Sequence, residues 1–232
     1  MLKFVAHRFA VEKASEYARQ GFGRRIQVLA RCVHNIFRVI PAGTVKVPSR
    51  NRLHDAQINI HGFLANAYGC IDNLAWVWVH ERRLTTKIKP LQVGLRAKHA
   101  SVRQSLSLEF QEYLGTLDKW FEYLVEYRDA LAHRIPPYVA PGSVRPKDVD
   151  AHNELQRKMD NALNRLQPEE YQRLLAEQSQ LFIFQPMMCH SFNEASGTIR
   201  FHPQILADFH TVEEIALKML KELRQARSIG WV

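Results

Sequence analysis

Between residues 54 and 83 one apolar face runs without interruption, with Ile60, Leu64, Ala67, Ile71, Leu74, Ala75 and Trp78 recurring at helical spacing. A helix that long with so continuous a stripe must be covered by other helices, so this segment predicts the centre of the fold. The neighbouring sequence supplies the cover. Residues 2–19 read as a helix, and after a break at Gly21-Phe22-Gly23 a second runs to residue 40, apolar at Leu29, Val33, Ile36 and Ile40. Pro41, Gly43 and Pro48 make the next connection a loop. Further helices are expected at 101–114, 116–134, 148–166 and 168–178, the last opening with Pro168 in its first turn. Residues 136–146 read as a Pro/Gly linker. Residues 181–190 and 198–202 flank Asn193-Glu194-Ala195-Ser196-Gly197 and predict a short β-hairpin, which must lean on the helices to persist. A closing helix at 203–227 is apolar at Leu206, Phe209, Ala216, Leu220 and Leu223.

The expected fold class is therefore all-α, an up-and-down helical bundle with a small C-terminal β-hairpin and a closing helix. One domain spans residues 1–232, with a core at 54–138 on which the N-terminal helices 2–40 and a C-terminal extension 148–232 pack. No internal repeat is present, which excludes solenoid arrays.

At 46% apolar content the 232 residues can bury a sizeable core. The net charge of +9 points to a polyanionic partner, most economically RNA or DNA. That excess is local. Arg82, Arg83, Lys87, Lys89, Arg96, Lys98 and Arg103 share one window that holds no acidic residue. Residues 84–100 within it contain Pro90 and Gly94 and lack a period, so they read as an ordered basic loop bordering a substrate groove, and the seven cations as an RNA-binding surface. Cys32, Cys70 and Cys189 are odd in number and widely spaced among apolar residues, which argues against a disulfide framework and for a reducing cytoplasm. The N-terminal sequence has no continuous apolar region or small-residue cleavage site, so no signal peptide is expected. No apolar run reaches the ~18 residues that span a bilayer, so no membrane partner is expected.

Residues 126–138, EYRDALAHRIPPY, set a permanent charge in an apolar stripe. Leu117, Phe121, Leu124, Leu131 and Ile135 form the pattern of a core-facing helix, and Arg128 fills its gap, within roughly 20° of the stripe's centre on an ideal helix. A guanidinium there needs a carboxylate, a phosphate or a wet cleft. Asp129 and His133 are four residues apart, hence neighbours on the helix surface, where the carboxylate can orient the imidazole. Pro136 ends the helix near Arg134 and leaves His133 in the last turn, at the negative end of the dipole. Arg128 and His133 stand roughly 140° apart around the helix. They meet at one site only if the helix end unwinds or a second copy of the chain supplies one of them.

The string Arg128-Asp129-Ala130-Leu131-Ala132-His133 near a helix end resembles the R-x(4–6)-H signature of HEPN domains, with the polar second position that family favours. Ala67-Tyr68-Gly69-Cys70-Ile71-Asp72-Asn73-Leu74-Ala75 resembles the corresponding HEPN helix, where an acidic residue often faces the motif. The resemblance covers residues 55–138 and implies a HEPN-like bundle carrying the basic loop, the hairpin and the last helix as additions. It implies metal-independent RNA cleavage without a cofactor, by two copies of the motif facing one another in a homodimer. In that scheme His133, of a residue type that titrates near neutrality, takes the proton of the ribose 2′-OH and returns one to the leaving 5′-oxygen. Arg128 donates two parallel hydrogen bonds to the phosphorane-like transition state. Asp129 holds the histidine tautomer, Asp72 and Asn73 support the motif from the facing helix, and Arg134 and Tyr138 contact phosphate or base. The implied setting is stress response or defence, with an antitoxin or defence protein as the partner class.

Other readings compete with this one. Arg128 can be a structural ion-pair partner of Asp72, with His133 bonding the spent carbonyls of the helix end. Many HEPN domains are non-catalytic, and a tight Arg128–Asp72 pair favours a binding or dimerisation module. His34, His54-Asp55 and Asp118 or Asp129 weakly resemble the H…HD…D order of all-helical metal-dependent phosphohydrolases, although Asp55 is accounted for as a first-turn acid. H-E-x-x-H and C-x-x-C do not occur, so no dedicated zinc site is expected. His190, His202, Asp208 and His210 around the hairpin receive no role, and Trp76, Trp78 and Trp120 read as core.

Overall fold

The computed structural model describes residues 2–191 and 197–228, so residues 193–196 of the expected hairpin turn lie outside the described residues. Helix α4 (Arg50–Glu81) is the axis of the molecule, as its stripe predicts. It buries more than the stripe, because Phe63, Cys70, Val77 and Val79 are covered along with Ile60, Leu64 and Leu74. Burial on several sides requires helices on several sides. After α1 (Leu2–Val5) and α2 (Glu12–Glu16), α3 (Gly23–Val39) packs along one flank of α4. Helices α7 (Asp118–His133) and α10 (Phe201–Ser228) pack along others. Their buried side chains join one core that reaches from Phe4 to Leu223.

The expected helix at 2–19 is split. Between α1 and α2 the amides of Ala10 and Val11 donate to the Glu81 carboxylate at 2.8 and 3.1 Å. Glu81, at the far end of α4, thus serves the start of α2, whose own N-cap residue Val11 offers no capping side chain. Gly21-Phe22-Gly23 does not break the chain either. Tyr17–Phe22 form a π-helical turn that continues directly into α3. Gly21 lets the turn approach α4 closely, since a Cβ on it would stand 2.9 Å from the Asn73 amide and displace that side chain.

After α4 the basic loop carries two short 3₁₀ turns, Leu84–Thr86 and Pro90–Gln92. The expected helix at 101–114 divides into α5 (Ala100–Arg103) and α6 (Leu108–Thr116), because Ser107 caps α6. Its Oγ accepts from the Phe110 amide at 3.3 Å, while its own amide and hydroxyl donate to the buried Glu222 carboxylate of α10 at 2.9 and 2.5 Å.

Residues 136–146 are more than a linker, since they supply β1 (Tyr138–Val139) and β2 (Ser143–Val144). Next come α8 (Val149–Asn164) and α9 (Pro168–Ser179), a helical hairpin with its own small core of Leu155, Met159, Ala162 and Leu174. Between β3 (Phe182–Ile183) and β4 (Met187–Cys189) stands Pro186, which has no amide to give a ladder and so divides the expected strand. β4 pairs antiparallel with β1, Tyr138 opposite Cys189, and with β5 (Ile199–Arg200), Met188 opposite Ile199, while β2 pairs with β3. The described residues are mostly helical with two small antiparallel sheets, β1-β4-β5 and β2-β3. Cys32, Cys70 and Cys189 are buried free thiols. Among the described residues no helix is long and apolar enough to cross a membrane.

Candidate functional site

Helix α7 buries Phe121, Leu124, Tyr127 and Ala130, a face rotated from the one its aliphatic residues suggest. The rotation has a cause. Asp208 of α10, itself fully buried, accepts from Trp120 Nε1 at 2.8 Å and Tyr123 Oη at 3.0 Å, which draws the aromatic side of α7 inward. Arg128 consequently sits roughly 70° from the middle of the buried face, at its edge rather than its centre. Ile135, expected in the stripe, is exposed. The Arg128 side chain is 38% exposed, so it borders solvent.

Arg128 lies over the ring of Tyr68 on α4, 4.7 Å from guanidinium carbon to centroid, and its Nη1 donates to Asp129 Oδ1 at 2.6 Å. That bond holds the guanidinium more firmly in its charged form. Arg96 from the basic loop also lies over the Tyr68 ring, at 5.9 Å. One turn along α4, burial lifts the Asp72 carboxyl to about 6, against the opposing pull of Arg128, Arg96, Arg25 and Lys98. Burial likewise raises the Tyr68 phenol, with Asp72 adding to the rise and Arg96 and Arg128 opposing it. Four cations thus gather about one half-buried carboxylate, and no direct Arg128–Asp72 hydrogen bond forms among the described residues. A cleft of about 370 Å³ adjoins this cluster between the basic loop and α7, lined by Arg96, Lys98, Phe121, Glu122, Val125 and Glu126 among others.

The other expected site residues divide. Asp129 bonds Arg128 rather than His133, and His133, exposed as the last residue of α7, has no hydrogen-bond or ion-pair partner among the described residues. Arg134 is exposed and folds back along α7, its Nη2 donating to the Glu126 carbonyl at 3.0 Å. Tyr138 is held in β1 opposite Cys189. Asn73 stands roughly 100° around α4 from Asp72, and its Oδ1 accepts from Arg25 Nε at 3.1 Å. In the basic window Arg96 and Lys98 reach the cluster, Lys87, Lys89 and Arg83 are exposed, and Arg82 lies over Trp78 at 5.6 Å. Arg103, expected on the RNA-binding surface, is 12% exposed and clips the basic loop to the start of α7. Its guanidinium donates to the carbonyls of Leu95 and Leu114 and to both oxygens of Asp118, at 2.5–3.3 Å. The two aspartates available to the H…HD…D order are therefore each bonded to an arginine, Asp118 to Arg103 and Asp129 to Arg128.

Two participants escape the sequence reading. Tyr68 shows itself only as an aromatic residue four positions before Asp72, and Arg25 reaches the site from α3 because Gly69 has no Cβ to exclude it. A Cβ there would stand 2.4 Å from the guanidinium carbon. No protein-family model, curated protein or solved structure matches the chain.

Proposed function

We propose that the chain is a HEPN-like, metal-independent endoribonuclease that cleaves RNA at the Arg128 cluster of a homodimer. The observation that carries the proposal is a grouping of charge: Arg25, Arg96, Lys98 and Arg128 all act on Asp72, with Asp129 bonded to Arg128. Glu122 and Glu126 of the adjoining cleft offset the net charge, so it is the gathering of four cations about one carboxylate, not an overall excess, that suits a phosphodiester. Support also comes from the packing of α7 on α4, with α7 ending just before Ile135 and Pro136 and an acidic residue of α4 facing it. Arg128 and Arg96, both resting on Tyr68, bind the non-bridging oxygens as charge builds on them. His133 of one copy serves Arg128 of the other. It accepts the 2′-OH proton as the 2′-oxygen attacks phosphorus, then returns a proton to the departing 5′-oxygen. Cytoplasmic action in stress or defence, restrained by an antitoxin-type protein, is the biological form of this proposal.

The geometry favours one alternative, a non-catalytic RNA-binding module, because Asp129 is committed to Arg128 and leaves His133 without an orienting carboxylate in the monomer. Incubation of end-labelled RNA with the protein in EDTA separates the two. The proposal predicts cleavage that is lost in His133→Ala and Arg128→Ala. Retarded but intact RNA, with or without added divalent metal, leaves the binding module, and cleavage only with added metal contradicts both.

A further inference from the structure

A second polar stripe of α4 runs beside Tyr68 and Asp72. Asn66, Gly69, Asn73, Trp76 and His80 recur along it at steps of three and four. The π-helical turn Tyr17–Phe22 lies against this stripe, and between them opens a cleft of about 310 Å³ lined by Lys13, Glu16, Tyr17, Gln20, Gly21 and Asn73. Single π-turns inserted in α-helical runs often reshape a helix at a functional position.

Tyr17 gives the otherwise polar cleft an aromatic wall, backed by two rings outside its lining. Tyr17, Trp76 and His80, all half-buried, stand within 19–26° of parallel with ring centroids 5.2–5.6 Å apart. Lys13 lies over the Tyr17 ring at 5.7 Å, paired with Glu16 at 2.7 Å, and both of these side chains are about half exposed and displaceable. Asn73 is oriented from behind: because Arg25 Nε donates to its Oδ1, its Nδ2 is left as the donor, on the side where Gly21 has no Cβ. Gln20 adds an exposed amide. Arg25 spends Nε on Asn73 and Nη1 on Asn66, and its Nη2 has no partner among the described residues.

We infer that this cleft is a nucleobase subsite for an unpaired RNA strand, one helical stripe away from the cation cluster. A base replaces Lys13 on the Tyr17 ring and takes hydrogen bonds from Asn73 Nδ2 and Gln20. The adjoining phosphate rests on Arg25 Nη2, over the Gly69 saddle, on its way to Arg128. Stacking plus edge contacts is the usual chemistry by which proteins hold unpaired RNA. The inference deepens the proposed RNA activity and rests on it for the strand's path.

The test uses labelled 2′-O-methyl oligonucleotides of graded length, which cannot be cleaved by 2′-oxygen attack, with binding followed by anisotropy and by tryptophan quenching assigned through Trp76→Phe. Tyr17→Leu should weaken binding about tenfold, and the exposed Gln20→Ala about fivefold, only for oligonucleotides long enough to span both sites. Trp76 should be quenched. Unchanged affinity in both variants at every length, binding without a Trp76 response, or no binding at all overturns the subsite. If wild type fails to cleave RNA yet binding depends on Tyr17 and Gln20, the subsite stands and the nuclease proposal falls. Cleavage with both variants indistinguishable from wild type gives the reverse.

Discussion

The two ends of α7 each meet an arginine, and the two are held quite differently. At the N-terminal end Arg103 is 12% exposed, and its donors are used by two carbonyls and both oxygens of Asp118. It also lies over Phe121 at 5.8 Å. Towards the C-terminal end Arg128 likewise has an aspartate and an aromatic ring, but it is 38% exposed and bonds a single carboxylate oxygen. Type of partner does not separate these residues. Saturation does: the donors of Arg103 are spent inside the protein, whereas Arg128 keeps donors open to solvent.

The contrast breaks most readily at Arg103. Arg103→Ala takes the guanidinium donor from the Leu95 carbonyl and from Asp118, whose side chain is 39% exposed, and should cost about 1.5–3 kcal/mol of stability, read as a lowered midpoint in urea; a loss below about 1 kcal/mol would place Arg103 with Arg128. Arg128→Ala should do the opposite, changing the midpoint by less than about 1 kcal/mol while RNA cleavage falls about hundredfold. If it unfolds the chain instead, Arg128 is architecture.

A smaller effect sharpens the comparison through pH. Asp72, lifted to about 6, loses its charge as pH falls from 7 to 5 and ceases to compete with phosphate for Arg128, Arg96, Arg25 and Lys98. RNA affinity should rise across that window, and Asp72→Asn should flatten the rise in a titration followed by anisotropy. The companion stability effect follows from linkage. The folded value lies above the unfolded one of about 4, so the stability from this group is complete below that value and is lost as pH rises through about 6. Smallest of all, Lys87→Ala and Lys89→Ala remove exposed charges and should each reduce the salt dependence of RNA binding by about one unit of slope, leaving stability unchanged.

Much of this architecture is legible in the sequence because it is local. The stripe from Ile60 to Trp78 fixes α4, and Pro136 fixes the end of α7. Strands β1 and β2 are not legible, since two-residue strands between prolines and a glycine look like a linker until β4 and β3 arrive to pair with them. The buried face of α7 is set by Asp208, far along the chain, so aliphatic periodicity alone puts Arg128 too close to its centre. The basic window shows its charge but not its division of labour, because the acceptors that retire Arg103 come from Leu95, Leu114 and Asp118. Tyr68 and Arg25 become visible only once α3, α4 and α7 are packed.

The most direct measurement is the single-turnover rate of RNA cleavage in EDTA by Arg128→Ala beside wild type, at a temperature where both are folded. An open, unsaturated guanidinium predicts a loss of about hundredfold or more. A variant that cuts RNA at the wild-type rate would contradict it.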